Sequence, residues 1–165
     1  MKRLLLAAAF LVHAICAYAA DGVSAEVGAG SRQVEVLRAG MQWKHEVDWL
    51  AGSRWTLYWD AGVGAWNGDV GSLVELGLTP VFRYARHERG LYFDGGIGVH
   101  WLSETHISSA VDVSTRFQFG DHVALGYRFK RYDFALRVQH FSNAGIENPN
   151  PGINLFSLRV GYALR

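Results

Sequence analysis

The chain has 165 residues, a formal net charge of +1, 13% aromatic residues, 19 glycines and 6 tryptophans. A balance this close to neutral carries no basic footprint for nucleic acid, and a single cysteine, Cys16, excludes a disulfide framework. The abundance of Trp and Tyr suits membrane–water interfaces.

Met1-Lys2-Arg3 opens the chain, followed by an apolar run from Leu4 to Ala17 and then Ala17-Tyr18-Ala19 before Ala20-Asp21. A basic start, a short apolar core and an A-x-A site predict a secretory signal peptide over residues 1–19. The run is too short for a stable transmembrane helix; a buried helix is the alternative. Cys16 lies inside this segment, and the bulky Ile15 stands where a small residue precedes a lipidated cysteine. The mature chain therefore has no thiol chemistry. Residues 20–165 amount to one domain.

From there the chain alternates apolar and polar residues with period two. Trp55, Leu57, Trp59, Ala61, Val63 and Ala65 interleave with Arg54, Thr56, Tyr58, Asp60, Gly62 and Gly64. Leu91, Phe93, Gly95, Ile97, Val99 and Trp101 do the same further on, as do Phe156, Leu158, Val160, Tyr162 and Leu164 near the end. Such alternation predicts strands with one apolar and one polar face. Eight are expected, over 22–30, 33–46, 53–66, 72–85, 90–101, 116–129, 132–142 and 153–164.

Short connections at 86–89 and 130–131 contrast with long ones at 102–115 and 143–152. Even strand number, strands of about ten residues and alternating short and long connections describe an all-β, eight-stranded antiparallel transmembrane β-barrel of the outer membrane. With the amino end in the periplasm, both long loops fall outside. The apolar face then meets lipid. Arg38, Gln42, Asp60, Glu75, Arg83, Asp94, Arg128, Arg137, Gln139 and Arg159 face a closed interior, where both signs must pair. A soluble lipocalin-like barrel is the alternative, with its apolar face turned inward. Pro80 sits inside the fourth strand and removes a ladder donor, which predicts a local bulge there, a misplaced strand being the alternative.

In the seventh strand His140 and Ser142 continue the apolar row Phe134, Leu136, Val138, while Arg137, Gln139 and Phe141 take the other face. Residues i and i+2 are about 6.6 Å apart along a strand, a gap that His and Ser side chains span. A histidine so placed can take the serine proton and create a nucleophile. The plain alternative is a polar strand end meeting interfacial water. His100, His106 and His122 are scattered, in keeping with interfacial or structural roles. No Cys/His cluster or acidic calcium loop is present, so no metal or other cofactor is expected.

The stretch HFSNAGIENPNPGIN resembles the signature of the PagL family of lipid A 3-O-deacylases. YWDAGVGAW at 58–66, LTPVFRY at 78–84 and GGIGVHWLSETHI at 95–107 are similar to that family as well. The resemblance implies an outer-membrane serine esterase whose substrate is the lipid A of lipopolysaccharide. It would hydrolyse the ester of the 3-hydroxyacyl chain at the 3-position. Ser142 would be nucleophile and His140 general base, and the histidine's orienting acid would fall at Asn154. Asn154 departs from the family, since an amide can hold a neutral imidazole and cannot balance an imidazolium. In the serine-protease template Asp→Asn at that position costs about 10⁴ in rate. Three readings follow, of which the first is favoured: Asn154 suffices, Glu147 substitutes, or activity is low. Asn143, Gly145 and Asn150 are the candidate oxyanion donors, with an ordinary turn as the alternative. Competing functions are a non-enzymatic anchor or adhesion barrel and another lipid-modifying barrel such as an acyltransferase. A homodimer is compatible with the fold.

Overall fold

The computed structural model describes residues 20–31 and 33–165, so the expected signal peptide and Cys16 lie outside the described residues. The chain forms β1 (Gly22–Gly30), β2 (Val34–His45), β3 (Trp55–Gly68), β4 (Gly71–Ala85), β5 (Gly90–Leu102), β6 (His106–Ser108), β7 (Val111–Asp112), β8 (Phe117–Phe129), β9 (Tyr132–Ser142) and β10 (Ile153–Ala163). Eight of these close into one antiparallel barrel in the order β1-β10-β9-β8-β5-β4-β3-β2. They coincide with the eight alternating segments. Two small elements carry no period-two signal and were not expected. They are the β6–β7 ribbon in the long loop after β5 and a 3₁₀ turn at Asp48–Leu50.

Alternation sorts the side chains as a membrane barrel requires. Leu37, Leu125, Leu136, Phe156 and Leu158 stand exposed on the outside. Aromatic pairs such as Trp55–Tyr84 and Tyr132–Tyr162 at one rim, and Phe117–Phe119 at the other, form the two girdles. Inside, the charges pair. Arg38 meets Glu26 at 2.9 Å and Glu75 at 2.7 Å, Arg137 meets Glu26 at 3.0 Å, and Arg83 meets Asp94 at 2.7 Å. Gly126 leaves the space that the Tyr92 ring fills, and the Tyr92 hydroxyl donates to Asp133 at 2.8 Å.

Pro80 causes no bulge. It pairs opposite Trp59 in an unbroken β3–β4 ladder. On the other side, Leu78 pairs with Val99 and Val81 with Gly96, the same register before and after Pro80. The sheet skips the pairs at Thr79 and Pro80 and resumes, so the missing N–H costs ladder bonds without inserting a residue.

The polar-inside rule also stops short of one end. Where β1–β2, β3–β4 and the long loops 103–116 and 143–152 turn, inward positions become apolar. Val34, Val36, Trp66, Leu73, Leu102, Ile107, Val113, Phe141, Ile153 and Leu155 form a buried plug there. The loops knit over it. Ser109 donates its amide to Asp69 at 2.8 Å and its hydroxyl to the same carboxylate, which holds that carboxyl below the usual range. Ser114 Oγ donates to the Pro149 carbonyl at 2.5 Å. This loop end carries the candidate site.

Candidate active site

The last three residues of β9 alternate out, in, out. Phe141 is fully buried, edge-on to Trp66 with ring centroids 4.9 Å apart and 4.8 Å from the His100 ring. That inward anchor fixes the parity of its neighbours, so His140 and Ser142 project from the outer wall, both half-buried.

Strand register brings the third residue. Asn154 pairs directly opposite His140 on β10, and cross-strand Cβ atoms in such pairs lie about 4.5–5.5 Å apart. His140 Nδ1 and Asn154 Oδ1 are 2.7 Å apart. An amide oxygen only accepts, so this contact places the proton on Nδ1 and leaves Nε2 as the basic nitrogen. Asn154 is itself held: its carbonyl accepts from the Ser31 amide at 2.8 Å, and its amide donates to Ser31 Oγ at 3.3 Å. Among the described residues no hydrogen bond joins Ser142 Oγ to His140. In resting enzymes such bonds are often long and tighten with substrate.

Gly152 closes the other edge of the ring. It has φ +62°, and a Cβ there would lie 2.6 Å from His140 Cε1 and 3.1 Å from Nε2. Only glycine gives both that backbone and that space.

The 143–152 loop is organised around Asn143, which is buried. Its Nδ2 donates to the Val113 carbonyl at 3.1 Å and the Glu147 carbonyl at 2.9 Å, and its Oδ1 accepts from Gly145 N at 2.9 Å. Its own amide donates to Asn150 Oδ1 at 3.1 Å. The Asn143 side chain is thus a brace between two loops. Gly145 N–H is already engaged, and Asn150 commits its oxygen to the Asn143 amide, so only its amino end can donate elsewhere. Glu147 is exposed, and the acceptor at His140 Nδ1 is Asn154.

Two open apolar grooves run along the outer wall. Pro80, Phe82, Ile97, Val123 and Val138 line one, which also touches His140. Val27, Leu37, Leu136, Val138, Phe156 and Leu158 line the other. His100 and His122 point inside; His100 Nδ1 lies 2.7 Å from Glu75 Oε1. His106 lies 3.1 Å from Asp112 across the β6–β7 ribbon. Among the described residues no group of three His, Cys, Asp or Glu side chains could hold a metal ion.

Sequence reasoning passed over Asp121. It is exposed on the outer wall of β8 and pairs directly opposite His140, on the side away from Asn154. Its signal is a carboxylate at the apolar parity of Phe117, Phe119, Val123 and Leu125.

The family model described as lipid A 3-O-deacylase (PagL) matches residues 37–163, which include Asp121, His140, Ser142, Asn143, Gly145, Asn150, Gly152 and Asn154. The chain belongs to the PagL family. It is 37% identical to the lipid A deacylase PagL of Pseudomonas aeruginosa, with 96% of each chain covered. The lipid A deacylase PagL of Bordetella bronchiseptica is 32% identical, over 86% of this chain and 82% of that one. The crystal structure of the outer membrane enzyme PagL superposes with a TM-score of 0.76 at 31% identity, covering 87% of this chain and 99% of the other. This PagL-family chain is accordingly an outer-membrane barrel, and its apolar outer wall faces lipid.

Proposed function

We propose that this barrel is a lipid A 3-O-deacylase that works as a serine esterase from the lipid-facing wall. Ser142 Oγ attacks the ester carbonyl of the 3-hydroxyacyl chain at the 3-position, and His140 Nε2 takes its proton. The tetrahedral intermediate collapses, the sugar oxygen leaves with the proton from His140, and the acyl group stays on Ser142. Water, deprotonated by the same nitrogen, then attacks the acyl-enzyme and releases a 3-hydroxy fatty acid. The amino end of Asn150 is assigned to the developing oxyanion. Gly145 N–H joins it if its bond to Asn143 is shared or exchanged.

The observation that carries this reading is the 2.7 Å contact between His140 and Asn154 on an exposed wall, two residues from Ser142. A non-enzymatic barrel has no need of it. The dyad lies at the loop end, which is the outer leaflet when the amino end is periplasmic. Lipid A then enters sideways, its acyl chains along the apolar groove that His140 borders.

The test is mass spectrometry of lipid A after incubation of lipopolysaccharide with purified protein in detergent. Native protein should remove one 3-hydroxyacyl mass, and Ser142→Ala should remove none. Persistent deacylation by Ser142→Ala would sink the mechanism. Transfer of the acyl group to a second lipid, rather than to water, would make the protein an acyltransferase.

A further inference from the structure

We infer that Asp121 supplies the negative charge for His140 that Asn154 cannot, so that the acidic function of this site has moved to the neighbouring strand. The inference rests on the Ser142–His140 reading above.

Three strands present a polar row across an apolar wall. Asp121 on β8, His140 on β9 and Asn154 on β10 are consecutive register partners. Beyond Asp121 the row continues into Ile97 on β5. Each neighbour of His140 is therefore one cross-strand pair away, with Cβ atoms about 4.5–5.5 Å apart. Asn154 occupies Nδ1 and fixes the tautomer, but it stays neutral. Asp121 is ionisable, exposed on the same wall, and borders the same groove as His140. An ionised carboxylate on a directly paired neighbour favours the cationic form of an imidazole over the neutral one. The division of labour follows: Asn154 orients the ring and Asp121 stabilises its charged form.

The proton balance is simple. The Ser142 hydroxyl proton goes to His140 Nε2, giving an imidazolium whose Nδ1–H remains on Asn154. That proton passes on to the departing sugar oxygen. Asp121 keeps its negative charge throughout, so it is a positioning residue acting through His140.

Other charged groups around His140 are few. Its own strand contributes the uncharged row Phe134, Leu136, Val138 and Ser142 outward. From β10 comes Asn154, and Ser31 stands behind it. The adjoining loop carries Glu147, exposed and with only its carbonyl tied to Asn143. The 103–116 loop carries Asp112 beside His106, and Glu104 3.9 Å from Arg116. Behind the wall, Arg137 and His122 face the barrel interior and are buried.

The experiment compares native protein, Asp121→Asn, Asn154→Glu and the double variant in the lipid A assay, with kcat and KM measured separately. Asp121→Asn should lower kcat about tenfold or more. KM should be unchanged. In the Asn154→Glu background, with a carboxylate restored at Nδ1, the same change should cost less than about threefold. A kcat that Asp121→Asn leaves unchanged overturns the inference. So does an effect confined to KM, which would make Asp121 a substrate contact, and so does an equal loss in both backgrounds. If Ser142→Ala is inactive while Asp121→Asn behaves as native, only this inference fails. If Ser142→Ala is active, the underlying reading fails first.

Discussion

His140 Nδ1 lies 2.7 Å from Asn154 Oδ1, a neutral contact where a charged one would do more. A carboxylate at 154 would hold the same tautomer and also balance the imidazolium that the proposed mechanism forms. Asn154→Glu is therefore expected to raise kcat. The rise should stay well below the roughly 10⁴ of the serine-protease template, because Asp121 already contributes charge. Asn154→Ala should lower kcat by removing the acceptor that selects the tautomer. Initial rates of 3-hydroxy acid release check both, and no increase for Asn154→Glu would show that charge at His140 is not limiting.

Phe141 holds this geometry from beneath. Its ring is fully buried against Trp66 and His100, between His140 and Ser142 in sequence. Phe141→Ala should cost about 3–5 kcal/mol, as truncation of a buried aromatic does. The expected readout is a lower temperature for loss of the folded, fast-migrating band on unboiled gels, with activity falling below that temperature as well. Full activity at low temperature would mean that the loops, and not this anchor, set the dyad.

How much of this was legible in the sequence follows from the range of the signals. Strand existence, and the outward parity of His140, Ser142 and Asn154, depend on period-two alternation within ten residues, and both were readable. Pro80 was not, because whether a missing donor forces a bulge depends on how the neighbouring strand β5 pairs, and that strand keeps its register. The apolar plug defeated the polar-inside rule, since it exists only once the loops fold over Val34, Trp66 and Leu155. Asp121 was missed for the same reason as Pro80. Its importance comes from pairing with His140, 19 residues away across the β8–β9 turn, and spacing alone does not give that register.

Gly152 separates crowding from backbone strain. Gly152→Ala puts a methyl 2.6 Å from His140 Cε1 at φ +62°. Gly52→Ala at φ +74° meets nothing within 4 Å and lies on the opposite rim. Both carry the left-handed backbone penalty of about 1–2 kcal/mol. Only the first displaces the imidazole. The expected result is a similar loss of thermal stability in both, with kcat reduced at least about tenfold in Gly152→Ala alone. Equal activities would place His140 in a site roomy enough to absorb the methyl.

Asn143 ties the two long loops together, and its removal should loosen both. Asn143→Ala strands the Val113 and Glu147 carbonyls and the Gly145 amide, which now meet its side chain at 3.1, 2.9 and 2.9 Å. The Val113 carbonyl, left buried without that partner, costs about 1–3 kcal/mol, while the half-buried Glu147 carbonyl and Gly145 amide can turn to water. Asn143→Asp keeps an acceptor for Gly145 but turns a negative oxygen toward two carbonyls, so it should be no better than alanine. Hydrogen exchange should rise across residues 103–116 and 143–152, while β1 to β4 stay protected as in the native barrel. If exchange rises only within 143–152, the Val113 bond does not couple the loops. If neither loop changes while activity is lost, Asn143 acts on substrate directly and returns to the list of oxyanion donors.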